Sequence, residues 1–228
     1  MKLLKVLSCI FIIFSLIVLN GCQALIGVGP QVGKYEYTHN ALYTGTPKRV
    51  IPVWIDKNFS DYDKASIREA LGSWNFALNG YIKINIVDTL FDMEVPKIVE
   101  QVRLNGWLIM KINSHSVIVP ENDKGYQTIG FTNDIGGYHL YLVRDRLSEF
   151  DVYGVTLHEV GHLLGAGHVG NRLMAPHYDK AVYQCIDWES ILAVSKYNAL
   201  DPARMNFCVD SANDSGTVRT EGGVTFVL

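Results

Sequence analysis

Residues 158–168 read HEVGHLLGAGH, which places histidines at 158, 162 and 168 and a glutamate at 159. On a helix, His158 and His162 stand one turn apart on the same face. That spacing lets two imidazoles reach one zinc ion. Glu159 directly follows the first of them and can address a water on the metal without being a ligand. Gly165 tolerates positive φ, so the chain can leave the helix there. Three residues later His168 can return to the same ion as a third ligand. Three protein ligands leave a fourth position for water, which is the catalytic rather than the structural arrangement of zinc. The bland alternative is a helix with two surface histidines and a C-terminal glycine. Five fixed positions make that coincidence rare, about one chain in 10^5 at ordinary residue usage.

Six residues after His168 comes Met174, within the run Leu173-Met174-Ala175-Pro176-His177-Tyr178. The long histidine motif followed by this methionine turn resembles the metzincin metallopeptidases. The turn is most similar to the matrixin branch, which commonly reads L-M-x-P-x-Y. Astacin-like relatives carry a zinc-proximal tyrosine two residues after the methionine, and Pro176 stands there instead. The resemblance implies that Met174 forms an apolar floor beneath the imidazoles. It implies an α+β fold, with a twisted mixed five-stranded sheet packed on two long helices and a C-terminal helix after the methionine turn. It implies a cleft whose upper rim is 125–133 and whose lower wall is 176–183. Tyr178 and Val182 would then offer apolar surface to the residue just after the scissile bond. The function implied is a zinc-dependent endopeptidase with one catalytic zinc, a zinc-bound water activated by Glu159, and a peptide or protein as substrate. A loop for a second, structural metal is not recognisable. His115 and His139 read as lone strand histidines, without acidic ligands at convincing spacing.

Several elements must position these residues. Residues 50–56 alternate and are rich in β-formers, so they read as a strand. Ser60 and Asp63 have capping-box spacing, and Ile67, Ala70, Leu71, Trp74, Ala77 and Leu78 follow a helical period behind them. Asn79-Gly80 closes that helix. Residues 82–87, 107–112, 116–119 and 138–143 are further strand candidates, and 128–132 suits a short edge strand. Ser148 or Asp151 opens the helix carrying His158 and His162. Residues 187–198 are a last amphipathic helix, with Ile191, Leu192, Val194 and Ser195 on its inner face. The tail 201–228 is polar and is expected to pack on the 49–200 domain, with 223–228 pairing as a strand.

The chain has 228 residues, 48% of them hydrophobic and 19% charged, so it is globular and large enough for one sizeable core. Its net charge of -3 comes with no basic block, which argues against nucleic-acid binding. Lys2 and Lys5 precede an apolar run over 6–19, the pattern of an export signal and too short for a span of about 20 residues. Gly21-Cys22 resembles the bacterial lipobox. By that reading 1–21 is a lipoprotein signal, Cys22 carries lipid, 22–48 is a tether, and the domain is held on a membrane outside the cytoplasm. A plain cleaved signal and an uncleaved anchor are the alternatives. Gln23 leans toward an outer membrane where there are two. Cys185 and Cys208 remain as an even pair suited to a disulfide in an oxidising compartment, the alternative being two free buried cysteines. Two other functions stay open. One is a zinc hydrolase of non-protein amides or cell-wall peptides, and the other a non-catalytic zinc-containing binding lipoprotein. Glu159 argues against the second, since a mere binder has no use for the base.

Overall fold

The computed structural model describes residues 35–87, 106–120, 126–179, 184–210, 218–221 and 224–227. The expected signal at 1–21, the expected lipidation site Cys22 and the expected pocket residue Val182 lie outside these described residues.

Strand β1 is Tyr35–Tyr37, and β2 is Arg49–Ile55. In β2 the alternation of the sequence becomes an alternation of burial, with Ile51, Val53 and Ile55 all inside. Helix α1, Asp61–Ala77, opens with the expected capping box: Ser60 accepts from the Asp63 backbone N–H, and the Asp63 carboxylate accepts from the Ser60 N–H. Its buried stripe includes Ile67, Ala70, Leu71 and Trp74. Asn79 and Gly80 both take positive φ just beyond it, turning the chain into β3, Ile82–Ile86. Then come β4 (Trp107–Ile112), β5 (Gly130–Thr132) and β6 (His139–Val143). Helix α2 is Asp151–Leu163 and α3 is Trp188–Asn198.

The five central strands lie in the order β3-β2-β4-β6-β5. All are parallel to their neighbours except β5, which runs antiparallel along the edge. Central β4 is buried at five of its six positions, as a strand covered on both faces must be. One face of the sheet packs on α1 and α2 to form the main core. Leu108, Met110, Tyr141 and Val143 form a second cluster, with Trp54, Val119 and Phe131 packed against it. Within the main core the Trp74 indole N–H donates to the Leu157 carbonyl at 2.8 Å, locking α1 to the helix that carries the histidines. The mixed five-stranded sheet, two long helices and third helix after the methionine turn are the architecture that the resemblance implies.

Three expectations need correction. The tether assigned to 22–48 does not extend through 35–48. There β1 pairs antiparallel with β7, Cys208–Asp210, and Asn40 bonds to Met205 O and Asn206 Oδ1 at 2.6 and 2.8 Å. That segment is fixed by main-chain pairing and amide side chains, which leave no apolar period to read. Residues 116–119 form turns rather than a strand, with Ser116 N–H donating to Asn113 O and Val119 N–H to Ser116 O. Among the described residues their β-branched run has no neighbouring strand to pair with, and Val117 stands 99% exposed. His115 therefore lies in a turn. Leu192 is exposed, so the inner face of α3 is Ile191, Val194 and Ser195 without it.

The Cys185 and Cys208 sulfurs are bonded, with Cα atoms 6.2 Å apart, joining the approach to α3 to strand β7. In the tail, β8 (Val218–Glu221) pairs antiparallel with β9 (Val224–Val227).

Candidate active site

Helix α2 starts at a small polar knot. Asp151, buried at the first helical position, accepts from both the backbone N–H and the hydroxyl of Ser148. Two turns further on, His158 and His162 leave the helix on one face. The helix ends when Gly165 takes φ +95, with the Gly165 N–H on the His162 carbonyl and the Ala166 N–H on the Gly161 carbonyl. A side chain at Gly165 would also overlap the Tyr197 ring. Both constraints require glycine there, and both bring His168 back toward α2. The ring centroids of the three histidines lie 4.7, 4.8 and 5.5 Å apart. One potential ligand atom from each lies within 4.8 Å of the others.

Two of the rings are held by backbone carbonyls. His158 Nδ1 sits 2.5 Å from Leu173 O, and His162 Nδ1 sits 2.7 Å from Ala166 O. A carbonyl only accepts, so each Nδ1 carries the proton and each Nε2 keeps its lone pair. Leu173 is fixed in turn: its N–H donates to Asp187 Oδ2 at 3.2 Å, while Asp187 Oδ1 caps α3 through the Ser190 N–H at 2.8 Å. One buried carboxylate thus connects the methionine turn, the third helix and, through a single residue, Leu173, the orientation of His158.

Burial pushes the imidazoles toward their neutral, ligating form. His158 is driven down to about 4 by desolvation, with the neighbouring histidines adding to it and the Leu173 carbonyl opposing. His162 and His168 shift the same way, again mainly through burial. Glu159 moves oppositely: burial pushes its carboxyl up to about 8. Its Oε2 is buried with no hydrogen-bond partner.

The packing around Glu159 depends on two glycines. A Cβ on Gly130 would lie 2.6 Å from Val155 Cγ1 and 3.3 Å from Glu159 Oε1. Edge strand β5 therefore passes directly over the carboxyl. A Cβ on Gly161 would lie 2.5 Å from the Met174 sulfur and 3.3 Å from the Trp74 ring. Fully buried Met174 thus sits against the helix between the two histidine turns.

A cleft of about 670 Å³ opens over these groups. Its upper wall is 126–135 and its lower wall 175–178, with Val155, His158, Glu159, His162 and His168 between. The lower wall is pinned by Tyr178, whose hydroxyl donates to Asp151 Oδ1 at 3.2 Å and whose ring covers Gly154. Tyr126 and His177 stack between the walls, with ring centroids 4.4 Å apart and planes at 23°.

The structure brings together His158, His162, His168, Glu159, Met174 and Tyr178. His115 and His139 stay apart from the triad; His139 lies within hydrogen-bonding distance of Asn133. Sequence reasoning placed Tyr126, Gly130 and His177 within the cleft walls without a role for any of them, and missed Gly161 and Asp187. Gly161 could have been noticed, because a glycine inside a helix weakens it unless packing needs the space. The others act through partners distant in sequence, and nothing local marks them.

Three neutral imidazoles with free ring nitrogens, beside a buried acid lacking a partner, fit one divalent cation and a water. The histidine triad and the mixed sheet with its antiparallel edge are metzincin-like. No protein-family model matches the chain, and no curated protein matches it. Among solved structures it is similar to metalloproteinase-II from Bacteroides fragilis, at 18% identity and TM-score 0.45, covering 74% of this chain and 59% of that one. It is also similar to an archaemetzincin from Methanopyrus kandleri, at 13% identity and TM-score 0.36, covering 71% and 91%. A third is high choriolytic enzyme 1, a hatching-enzyme zinc protease from the medaka Oryzias latipes, at 20% identity and TM-score 0.30, covering 71% and 63%. The chain thus matches less than two thirds of the Bacteroides and medaka proteins. What the site can do follows from this chain's own residues.

Proposed function

We propose that the protein is a zinc-dependent endopeptidase. The observation that carries this is the placement of Glu159, an unpartnered buried acid under an open strand edge, beside three converging neutral imidazoles. His158, His162 and His168 would hold the zinc, with Met174 as the apolar packing beneath their helix. Zinc so held supplies Lewis acidity, polarising a carbonyl and bringing the pKa of a water to about 7. The chain's own groups do the rest. Among the described residues strand β5 pairs only with β6, so its outer edge can take a substrate strand by backbone hydrogen bonds. The Leu173 and Ala166 carbonyls hold two imidazoles in the ligating tautomer. Glu159 accepts a proton at its free oxygen and returns it to the departing amine. Val155 and the pinned Tyr178 ring offer apolar surface to the residue after the scissile bond, which favours Leu, Met, Ile or Phe there.

Export by residues 1–21 and lipid on Cys22 belong to the same proposal and rest on the sequence. Among the described residues no helix is long and apolar enough to cross a membrane. A fatty-acid probe should label the wild type and not Cys22→Ser.

The test is cleavage of a degenerate peptide library by the zinc-loaded protein, with and without chelator. Chelator-sensitive cuts are expected. Glu159→Ala should keep zinc and lose activity by about 10^2–10^4-fold, whereas His162→Ala should lose the zinc itself. A Glu159→Ala protein as active as wild type would rule out the assigned chemistry. A zinc-loaded wild type that binds peptides and cuts none would make the chain a binder.

A further inference from the structure

The Tyr126–His177 stack stands where a substrate has to pass. Tyr126 belongs to the upper wall, four residues before β5 begins, and His177 to the lower wall, directly after Pro176. Neither ring is a core residue: Tyr126 is 55% exposed and His177 is exposed as well. Each covers one face of the other. At a centroid separation of 4.4 Å the rings are in contact, with no space for a peptide between them.

The strand edge sets the direction of travel. A peptide pairing antiparallel with β5 runs from the Thr132 end toward Gly130 and continues past Tyr126. Glu159 lies beneath Gly130, which puts the scissile bond near that residue. Four residues of extended chain reach about 13 Å. Tyr126 therefore meets the substrate no more than about four residues after the cut, and since the first of these faces Val155 and Tyr178, the stack faces the second to fourth. A strand lying there must part the two rings, and the stacking they lose is regained only if the substrate offers another flat surface.

On the peptidase reading, we propose that Tyr126 and His177 form an aromatic clamp that selects a planar side chain (Phe, Tyr, Trp or His) within the second to fourth residues after the scissile bond. The two are specificity-determining residues and take no part in the proton transfers. The chemistry needed is stacking alone, which prefers offset faces at 4.5–7 Å between centroids, about the separation the opened pair would offer to each side of an inserted ring.

The test compares peptides identical except for phenylalanine or cyclohexylalanine at each of those positions in turn. The two side chains match in size and apolarity, but only one is planar. For the zinc-loaded full chain, kcat/KM should favour phenylalanine by about three- to tenfold. In Tyr126→Leu and in His177→Leu the ratio should fall to about one, and the cyclohexylalanine peptide should be cut faster than by wild type, because no stack has to open. His177→Phe should restore the ratio, which a proton-transfer role for His177 would not allow. A wild-type ratio near one, or a ratio that survives both leucine substitutions, overturns the clamp. Affinities of the same peptides for the Glu159→Gln protein give a reading independent of turnover. If wild type cuts neither peptide, the peptidase reading fails, while a phenylalanine preference in binding that disappears in Glu159→Gln/Tyr126→Leu still supports the clamp and its absence still refutes it.

Discussion

Without metal, the Glu159 carboxyl keeps its proton at pH values where an exposed glutamate has lost it, because it is buried beneath Gly130 with an unpartnered oxygen. The sign of its effect on stability follows. Its folded-state pKa of about 8 lies above the ordinary 4.5, so the stabilisation from holding the proton is complete below that ordinary value and is lost as pH rises through about 8. His158 works in the other direction. Held down to about 4, it resists the proton that an unfolded chain accepts, so stability falls as pH drops from 6.5 toward that value. Glu159→Gln removes only the first effect. In chelator, its melting temperature relative to wild type should climb between pH 6 and 8, equivalent to about 2 kcal/mol over those two units, and should stay level below pH 4.5. A constant difference across the whole range would mean that Glu159 is ionised in the metal-free fold. At this scale the sequence is most legible where function is written locally. His158, Glu159, His162 and His168 lie within eleven residues of one another, and helix geometry alone relates the first three. Gly130 was not legible, since its lack of a side chain matters only once a strand is laid across α2.

At the scale of elements, α1 shows how a local signal can hide a distant partner. The Ser60–Asp63 capping box was readable from its spacing. The Arg144 guanidinium that also holds Asp63, with Nε 3.0 and 2.9 Å from the two carboxylate oxygens, comes from 81 residues away and was not. Burial alone would raise the Asp63 pKa, but the hydrogen bonds from Arg144 and Ser60 outweigh it and hold the carboxyl below its ordinary value. That stabilisation is present above the ordinary carboxylate range and disappears as pH falls through the lowered value. Arg144→Met should therefore cost about 3–5 kcal/mol in chemical denaturation at pH 7, because it leaves a buried charge unpaired. Asp63→Asn/Arg144→Met should recover part of that loss. Equal destabilisation by the single and double variants would show that the pair is not coupled. The element that carries the methionine turn depends on Asp187 in the same indirect way. Asp187→Ala should free the Leu173 peptide, loosen His158 and weaken zinc binding by about 10–100-fold in competition with a chelator. Unchanged zinc affinity would confine Asp187 to capping α3.

Across the whole molecule, most strands and helices followed from alternation and helical period and the five-stranded sheet on two helices from the resemblance, while the closure of the fold did not. Residues 35–48 carry no apolar pattern, yet β1 seats on β7, and the Cys185–Cys208 disulfide ties β7 to the start of α3. Pairing through the main chain leaves little trace in residue type, so a polar segment joined to a strand reads like a linker. Cross-linking residues 23 apart should contribute about 3 kcal/mol by constraining the unfolded chain. Cys185→Ser/Cys208→Ser should lower the melting temperature accordingly and keep one zinc per chain. Loss of zinc in that variant would show that the bridge also sets the position of Asp187, two residues beyond Cys185.

The β1–β7 pair also determines how the molecule carries a mechanical load. A pull on the chain ahead of residue 35 enters through β1, a three-residue strand held to β7 in register from Tyr35 with Asp210 to Tyr37 with Cys208. Beyond that ladder the covalent bridge passes the force into α3. The short ladder has few bonds to share tension, whereas the central sheet and the Trp74–Leu157 junction between α1 and α2 lie further along the path. Under traction β1 should detach first and release its own residues as extended chain, while the histidine triad keeps its geometry. The strand would act as a mechanical fuse, yielding at low force so that the cleft is not distorted.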